Sequence, residues 1–235
     1  MSSYESIAVA FQKGGPFMYA IGIVGILVLA ISVDRLIKLF FIYSVDSVPF
    51  MGQIMKLVMS NNVDRAIKIC HVKNKAALPQ VVRAGLVKMG KPIEDIQGSM
   101  DEATLKVGPA VQSGLSFIAT FANISTLLGL LGTITGLIMS FGSLAMADPS
   151  QKQQLLASGI AEAMHCTAFG LMVAVTAIVS HSYLSNKANK IMDDVDRYSV
   201  SIINLISEQY RTVRNRNVGG ADPSLMSDND RMGAM

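Results

Sequence analysis

Apolar residues fill three long stretches of the chain, and the segments between them alternate polar and apolar positions at helical spacing. The longest uncharged stretch covers residues 107–147 and reads SGLSFIATFANISTLLGLLGTITGLIMSFGSLAMA from Ser113 onward. A second, from about Leu155 to Tyr183, contains a single acid, Glu162. Only Asp148-Pro149-Ser150-Gln151-Lys152-Gln153-Gln154 separates them. About 20 apolar residues suffice to cross a hydrocarbon core of ~30 Å, so the pair predicts a membrane hairpin: spans 113–147 and 155–184 around a turn at 148–154. An earlier apolar run opens after the turn signal Gly14-Gly15-Pro16 and predicts a first span over 16–43. Its far end carries Asp34, Arg35 and Lys38, then Phe40-Phe41-Ile42-Tyr43, aromatics suited to a membrane interface. Residues 1–15 read as a short interfacial helix or a frayed end.

Residues 44–112 are soluble in character. Ile54, Leu57 and Val58 have helical spacing, and Asn62 is placed to cap a helix over 63–71 with Asp64 in its first turn. Further helices are predicted over 76–89 and 92–106, the second opening on Pro92 with Glu94-Asp95 beside it. No useful strand pattern occurs. After the third span, Ile191, Val195, Tyr198, Ile202, Leu205 and Ile206 keep helical spacing, so a helix over 185–210 should follow. The tail 211–235, rich in Arg, Asn, Gly, Asp and Ser, is expected to be disordered. The fold class is therefore all-α, a membrane protein of three transmembrane helices with long cytoplasmic helical extensions.

Composition supports the membrane reading: of 235 residues, 51% are apolar and 16% charged, too apolar for an ordinary soluble domain. The net charge of +3 matters less than its distribution. Nine Lys/Arg lie in 44–108 and seven beyond Tyr183, whereas the other side of the expected spans has only Lys13 and Lys152. Basic residues favour the cytoplasm, so the N-terminus and the 148–154 turn are expected in the periplasm and the C-terminus in the cytoplasm, at a bacterial inner membrane. Lys13 is the lone cation before the first apolar run, and no small-residue cleavage site precedes Asp34-Arg35, which predicts an uncleaved first span.

Glu162 is the main candidate for chemistry. It lies about eight residues past the turn, or ~12 Å along a helix, where a carboxylate must face protein or water and should hold its proton more tightly than usual. A proton or cation path is one reading; a structural acid paired within an assembly is the other. Small residues form a stripe on the second span (Ser125, Gly129, Gly132, Gly136, Ser140, Ser143) and another on the third (Gly159, Ala163, Cys166/Thr167, Gly170, Ala174). For the glycines, close helix packing explains the pattern. Thr133 and Thr167 put hydroxyls near mid-membrane, where they can line a pore or bond back to their own helix. Glu162 and Thr167 diverge by about 140° around a helix, so they cannot face one neighbour. His165 stands three residues from Glu162, on an adjacent position.

Other chemistries lack support. Cys70-His71 and His165-Cys166 are adjacent pairs that diverge by about 100°, with no further ligand at a usual spacing, so no metal is expected. No phosphate loop, nucleophile elbow or zinc-binding histidine pair appears, so neither an enzyme nor a cofactor is expected. The basic loop has few aromatics and reads as membrane-flanking charge, without a nucleic-acid surface.

The segments STLLGLLGTITGLIMSF (125–141) and GIAEAMHCTAFGLMVAV (159–175) together resemble the MotA/TolQ/ExbB proton-channel family, TolQ/ExbB more than MotA. The resemblance implies a homo-oligomer, a pentameric ring in lipid around a smaller single-span subunit similar to ExbD/TolR/MotB, whose membrane Asp shuttles protons. It implies that proton flow is coupled to mechanical work, and that Thr133, Thr167 and Glu162 occupy the family's proton-pathway positions. Thr176 stands where TolQ/ExbB proteins commonly have proline, and His165-Cys166 where they have small apolar residues. The competing reading is a passive membrane scaffold with a structural Glu162.

Overall fold

The computed structural model describes residues 15–73, 75–146 and 148–219. Among these there is no strand, and seven α-helices follow in order: α1 (Gly15–Ile37), continued by one π-helical turn (Lys38–Ile42), α2 (Ser47–Met59), α3 (Val63–Val72), α4 (Ala77–Val87), α5 (Ile93–Gln112), α6 (Leu115–Met146) and α7 (Lys152–Gly219). α1, α6 and α7 each contain a stretch long and apolar enough to cross a membrane. The chain divides into two compact units, Met1–Tyr43 with Pro109–Lys190, and Ser44–Gly108 with Ile191–Met235.

The first unit is built from α1, α6 and the first part of α7. Pro16 sits in the first turn of α1, where a missing N–H costs nothing. At its other end Lys38 Nζ lies 2.9 Å from Asp34 Oδ2, four residues back. Phe40 stacks on Tyr183 of α7 (centroids 6.1 Å apart, planes 13° apart), and Lys187 Nζ lies 4.8 Å from the Phe40 centroid. A cation on an aromatic face is worth about 0.5–1 kcal/mol where exposed, so this group pins the end of α1 to α7. Gly114, between α5 and α6, has φ +77°; a β-carbon there would also lie 2.5 Å from Arg35 Nε. Both conformation and space require glycine at this corner.

The second unit packs α2–α5 with the later part of α7. Its buried side chains include Met51, Ile54, Leu86, Ile96, Ile202 and Ile206. α2 ends in a Schellman motif: Asn61 takes φ 58°, its N–H donates to Val58 O, and Asn62 N–H donates to Leu57 O. Asn62 directly precedes α3, yet its side chain does not cap that helix. Its Nδ2 donates instead to the backbone oxygen and hydroxyl of Ser60, because the turn it closes aims the amide backwards. Tyr210 secures the turn at Gly90 (φ +96°): Gly90 N–H donates to the phenol oxygen at 2.8 Å, and the phenol donates to Lys91 O. Ser47 Oγ donates to Asp194 Oδ2 at 2.7 Å, tying α2 to α7. Cys70 is buried; burial pushes its thiol up to about 11, partly offset by the Arg83 cation.

α7 begins at Lys152, inside the turn expected at 148–154, and two further boundaries differ from expectation. α5 runs to Gln112 through Pro109, six residues past the expected end at 106. Proline removes one hydrogen bond, and close to the helix end that loss is confined to the last turn. α7 continues past 210 to Gly219, because no glycine or proline interrupts the sequence from Leu171 to Val218 and Arg is a good helix former. Residues 220–235 of the expected tail lie outside the described residues, as do 1–14.

Gly98 is an exposed glycine within α5, and a β-carbon there would meet nothing within 4 Å. Gly98→Ala is therefore expected to stabilise the protein by about 0.5–1 kcal/mol, read as a higher thermal unfolding midpoint in detergent.

Candidate functional site: the α6–α7 hairpin

Small residues let α6 and α7 approach closely over four helical turns. A β-carbon added at Gly129 would lie 3.2 Å from Thr167 Cα and 3.4 Å from Gly170 Cα. One added at Gly170 would lie 2.7 Å from the Ser125 carbonyl oxygen and 3.1 Å from Gly129 Cα. Further along, one at Gly132 would collide with Cys166 Sγ, one at Gly136 would lie 2.9 Å from Ala163 Cβ, and one at Gly159 would collide with Ser140 Oγ. The helices thus pair antiparallel in five layers: Ser125/Gly170, Gly129/Thr167, Gly132/Cys166, Gly136/Ala163 and Ser140/Gly159. In lipid, where burial between helices brings no hydrophobic gain, contact of this kind is what holds a hairpin together.

The two threonines behave differently. Thr167 Oγ1 donates across the interface to Gly129 O at 2.8 Å, a contact possible because Gly129 has no side chain to screen its carbonyl. Thr133 Oγ1 donates to Leu130 O of its own helix at 2.6 Å. Thr135, Ser140 and Ser125 likewise bond back to α6. Both threonine hydroxyls thus spend their protons on backbone carbonyls, leaving each oxygen's lone pairs free to accept.

Glu162 projects from α7 one residue before Ala163, level with Gly136, and is exposed on the protomer. Among the described residues it forms no hydrogen bond or ion pair. The structure therefore does not bring Glu162 together with Thr167: Thr167 belongs to the interhelical seam and Glu162 lies to one side of it. α6 contributes no charged residue anywhere along Leu115–Met146. α7 passes unbroken through Thr176, whose hydroxyl donates to Met172 O at 2.9 Å. Among the described residues no group of three or more His, Cys, Asp or Glu side chains could hold a metal.

The sequence pattern did not identify the Gly129 carbonyl as the acceptor for Thr167, nor Cys166 as the side chain seated over Gly132. The signal for both is the matched order of small residues on two antiparallel stripes, which becomes readable once the register is known.

A profile of the MotA/TolQ/ExbB proton channel family matches residues 73–197. The chain belongs to this family. Its match covers the hairpin and, in the second unit, residues 73–108 and 191–197. Among relatives of the MotA/TolQ/ExbB family, the chain is similar to the Tol-Pal system protein TolQ of Haemophilus influenzae, 30% identical over 131 residues, 54% of each chain. It is also similar to the biopolymer transport protein exbB1 of Vibrio cholerae, 39% identical over 93 residues, 40% of each. A putative ExbB-like protein of Synechocystis is 28% identical over 195 residues, 78% of this chain and 72% of that one. The chain spans about half the length of the TolQ relative and less of exbB1. Among solved structures, that of C. jejuni MotAB shares the fold, with a TM-score of 0.55 at 17% identity over 84% of this chain and 75% of that one.

Proposed function

We propose that the chain is a proton-channel subunit of an inner-membrane energy-transducing complex, coupling the proton-motive force to mechanical work on a partner. The observation that carries the reading is Glu162: an exposed carboxyl, unpaired among the described residues, and the single acid on a largely apolar stretch of a helix long enough to span the bilayer. An acid at that depth is costly unless it meets water, protein or a travelling ion. Membership of a family described as proton channels supports a proton as the travelling ion.

On this reading several copies of the chain, five by family resemblance, surround a single-span subunit of the ExbD/TolR/MotB kind. The exposed flank carrying Glu162 faces the passage between copies and partner, while Thr167, on the other flank of the seam, and Thr133 offer their lone pairs at an opposite edge of it. The distribution of basic residues supports a periplasmic N-terminus and 148–154 turn and a cytoplasmic C-terminus. Each proton crossing 100 mV releases about 2.3 kcal/mol, so sustained work draws on several.

The scaffold reading draws support from the seam itself, since Thr167 and the glycines are occupied with packing. The two readings separate in liposomes containing the complex purified with its partner. Under an imposed potential, the channel reading expects acidification reported by a lumenal pH dye, and native mass spectrometry expects several copies of this chain with fewer of a small partner. An intact complex that passes no protons at any potential overturns the channel reading in favour of the scaffold.

A further inference from the structure

One residue pair in the first unit is unused by the hairpin's packing. On α7 the residues that meet α6 are Gly159, Ala163, Cys166, Thr167 and Gly170. At about 100° per residue, Thr167 lies on one flank of that seam and both Glu162 and His165 lie on the other. Glu162 and His165 are exposed, and neither forms a hydrogen bond or ion pair among the described residues. They are three residues apart, the spacing at which helix side chains are neighbours, and His165 lies about 4.5 Å further along the axis.

The elements packed nearby offer no competing charge. α6 has no titratable residue. α1 packs on the same flank of α7 further along, with Gly25 against Val173. Among the described residues it contributes Tyr19 near its start and then nothing titratable until Asp34 and Arg35 near its end. On α7 itself Cys166 is adjacent, but its thiol is buried in the seam against Gly132; the next ionisable groups are Lys152, at the start of the helix, and His181, well beyond. Outside the seam, Glu162 and His165 are thus each other's nearest titratable neighbours within the span among the described residues.

We propose that His165 is a second proton station, receiving the proton from Glu162 and carrying it one helical turn deeper into the passage. The inference rests on the proton-channel reading. In the transfer the Glu162 O–H bond breaks and an imidazole N–H bond forms, leaving carboxylate and imidazolium. The imidazolium then releases its proton to water or to the partner's carboxylate, and Glu162 is reprotonated from the side of the 148–154 turn. Nothing is oxidised or reduced. Imidazole suits the role because it is the ordinary side chain that changes charge between about pH 5 and 8 and has a nitrogen on each side to take and pass a proton.

The test uses the complete complex in liposomes, with proton flux followed from pH 5 to 8 for wild type, His165→Gln, His165→Ala and Glu162→Gln. The expected result is no flux for Glu162→Gln, and for both His165 variants a fall of about tenfold with loss of the titration that wild type shows in this range. Wild-type flux and pH profile in His165→Gln, with Glu162→Gln silent, overturns the relay and leaves the channel reading standing. A uniform fall with an unchanged pH profile marks a packing role and also overturns the relay. Wild-type flux in Glu162→Gln removes the channel reading and the relay with it. If His165→Ala fails to assemble, the near-isosteric His165→Gln decides.

Discussion

Glu162→Gln is expected to cut proton flux through the assembled complex by about 100-fold or more while leaving its copy number and thermal stability unchanged. The amide matches the carboxylate in size and is polar, but it cannot take up and release a proton near neutral pH. The substitution breaks no contact among the described residues, because there Glu162 makes no hydrogen bond or ion pair and lies beside the α6–α7 seam. Function and folding are therefore separable at this position. Flux in liposomes reads the first and native mass spectrometry the second. A structural acid would give the opposite pattern: removing half of a desolvated ion pair costs several kcal/mol, so the oligomer would weaken while any residual complexes conducted normally. Unchanged flux in an intact complex would refute the assignment of Glu162 to the pathway.

The helices were legible because their signals are local. Uncharged runs longer than a bilayer, proline or glycine at the ends, and apolar spacing between polar turns all lie within a few residues of the structure they specify. Expectation and structure part company where a local signal has two possible outcomes. Asn62 can cap α3 or bond backwards, and the Schellman turn at Asn61 selects the second. The polar character beyond Tyr210 suggested disorder, yet a stretch free of glycine and proline simply prolongs α7. At the site, the residue types of the two small-residue stripes were visible but their pairing was not. Whether Thr167 bonds to its own helix or to α6 depends on which α6 carbonyl lies opposite, and that register is set by residues about 40 positions away in sequence. The hydroxyl reaches Gly129 O because glycine sits there; a larger residue would have held the helices apart and sent the hydroxyl back to its own backbone, as at Thr133.

The same register makes Gly170→Val the substitution most damaging to the fold. A first added carbon at Gly170 would lie 2.7 Å from the Ser125 carbonyl oxygen and 3.1 Å from Gly129 Cα. Both are backbone atoms of α6, so no side-chain rotation relieves the contact and the helices must separate. Separation would lengthen the neighbouring Thr167–Gly129 hydrogen bond and open the Gly132/Cys166 layer, so the loss spreads along the seam. Overpacking alone costs about 1–3 kcal/mol, and a lost interhelical hydrogen bond adds about 0.6 kcal/mol. Gly170→Val should therefore sharply reduce the amount of folded protein in the membrane and the recovery of the complex in detergent. Gly142, where a β-carbon would meet nothing within 4 Å of the protomer, provides the contrast: Gly142→Ala should accumulate and fold as wild type does. A second substitution distinguishes a collision with backbone from a collision with side chains. Ser125→Gly in the Gly170→Val background removes a side chain but leaves the clashing carbonyl in place, so it should give no rescue. Rescue by that change would locate the collision in side chains and contradict the backbone-to-backbone contact from which the loss is expected.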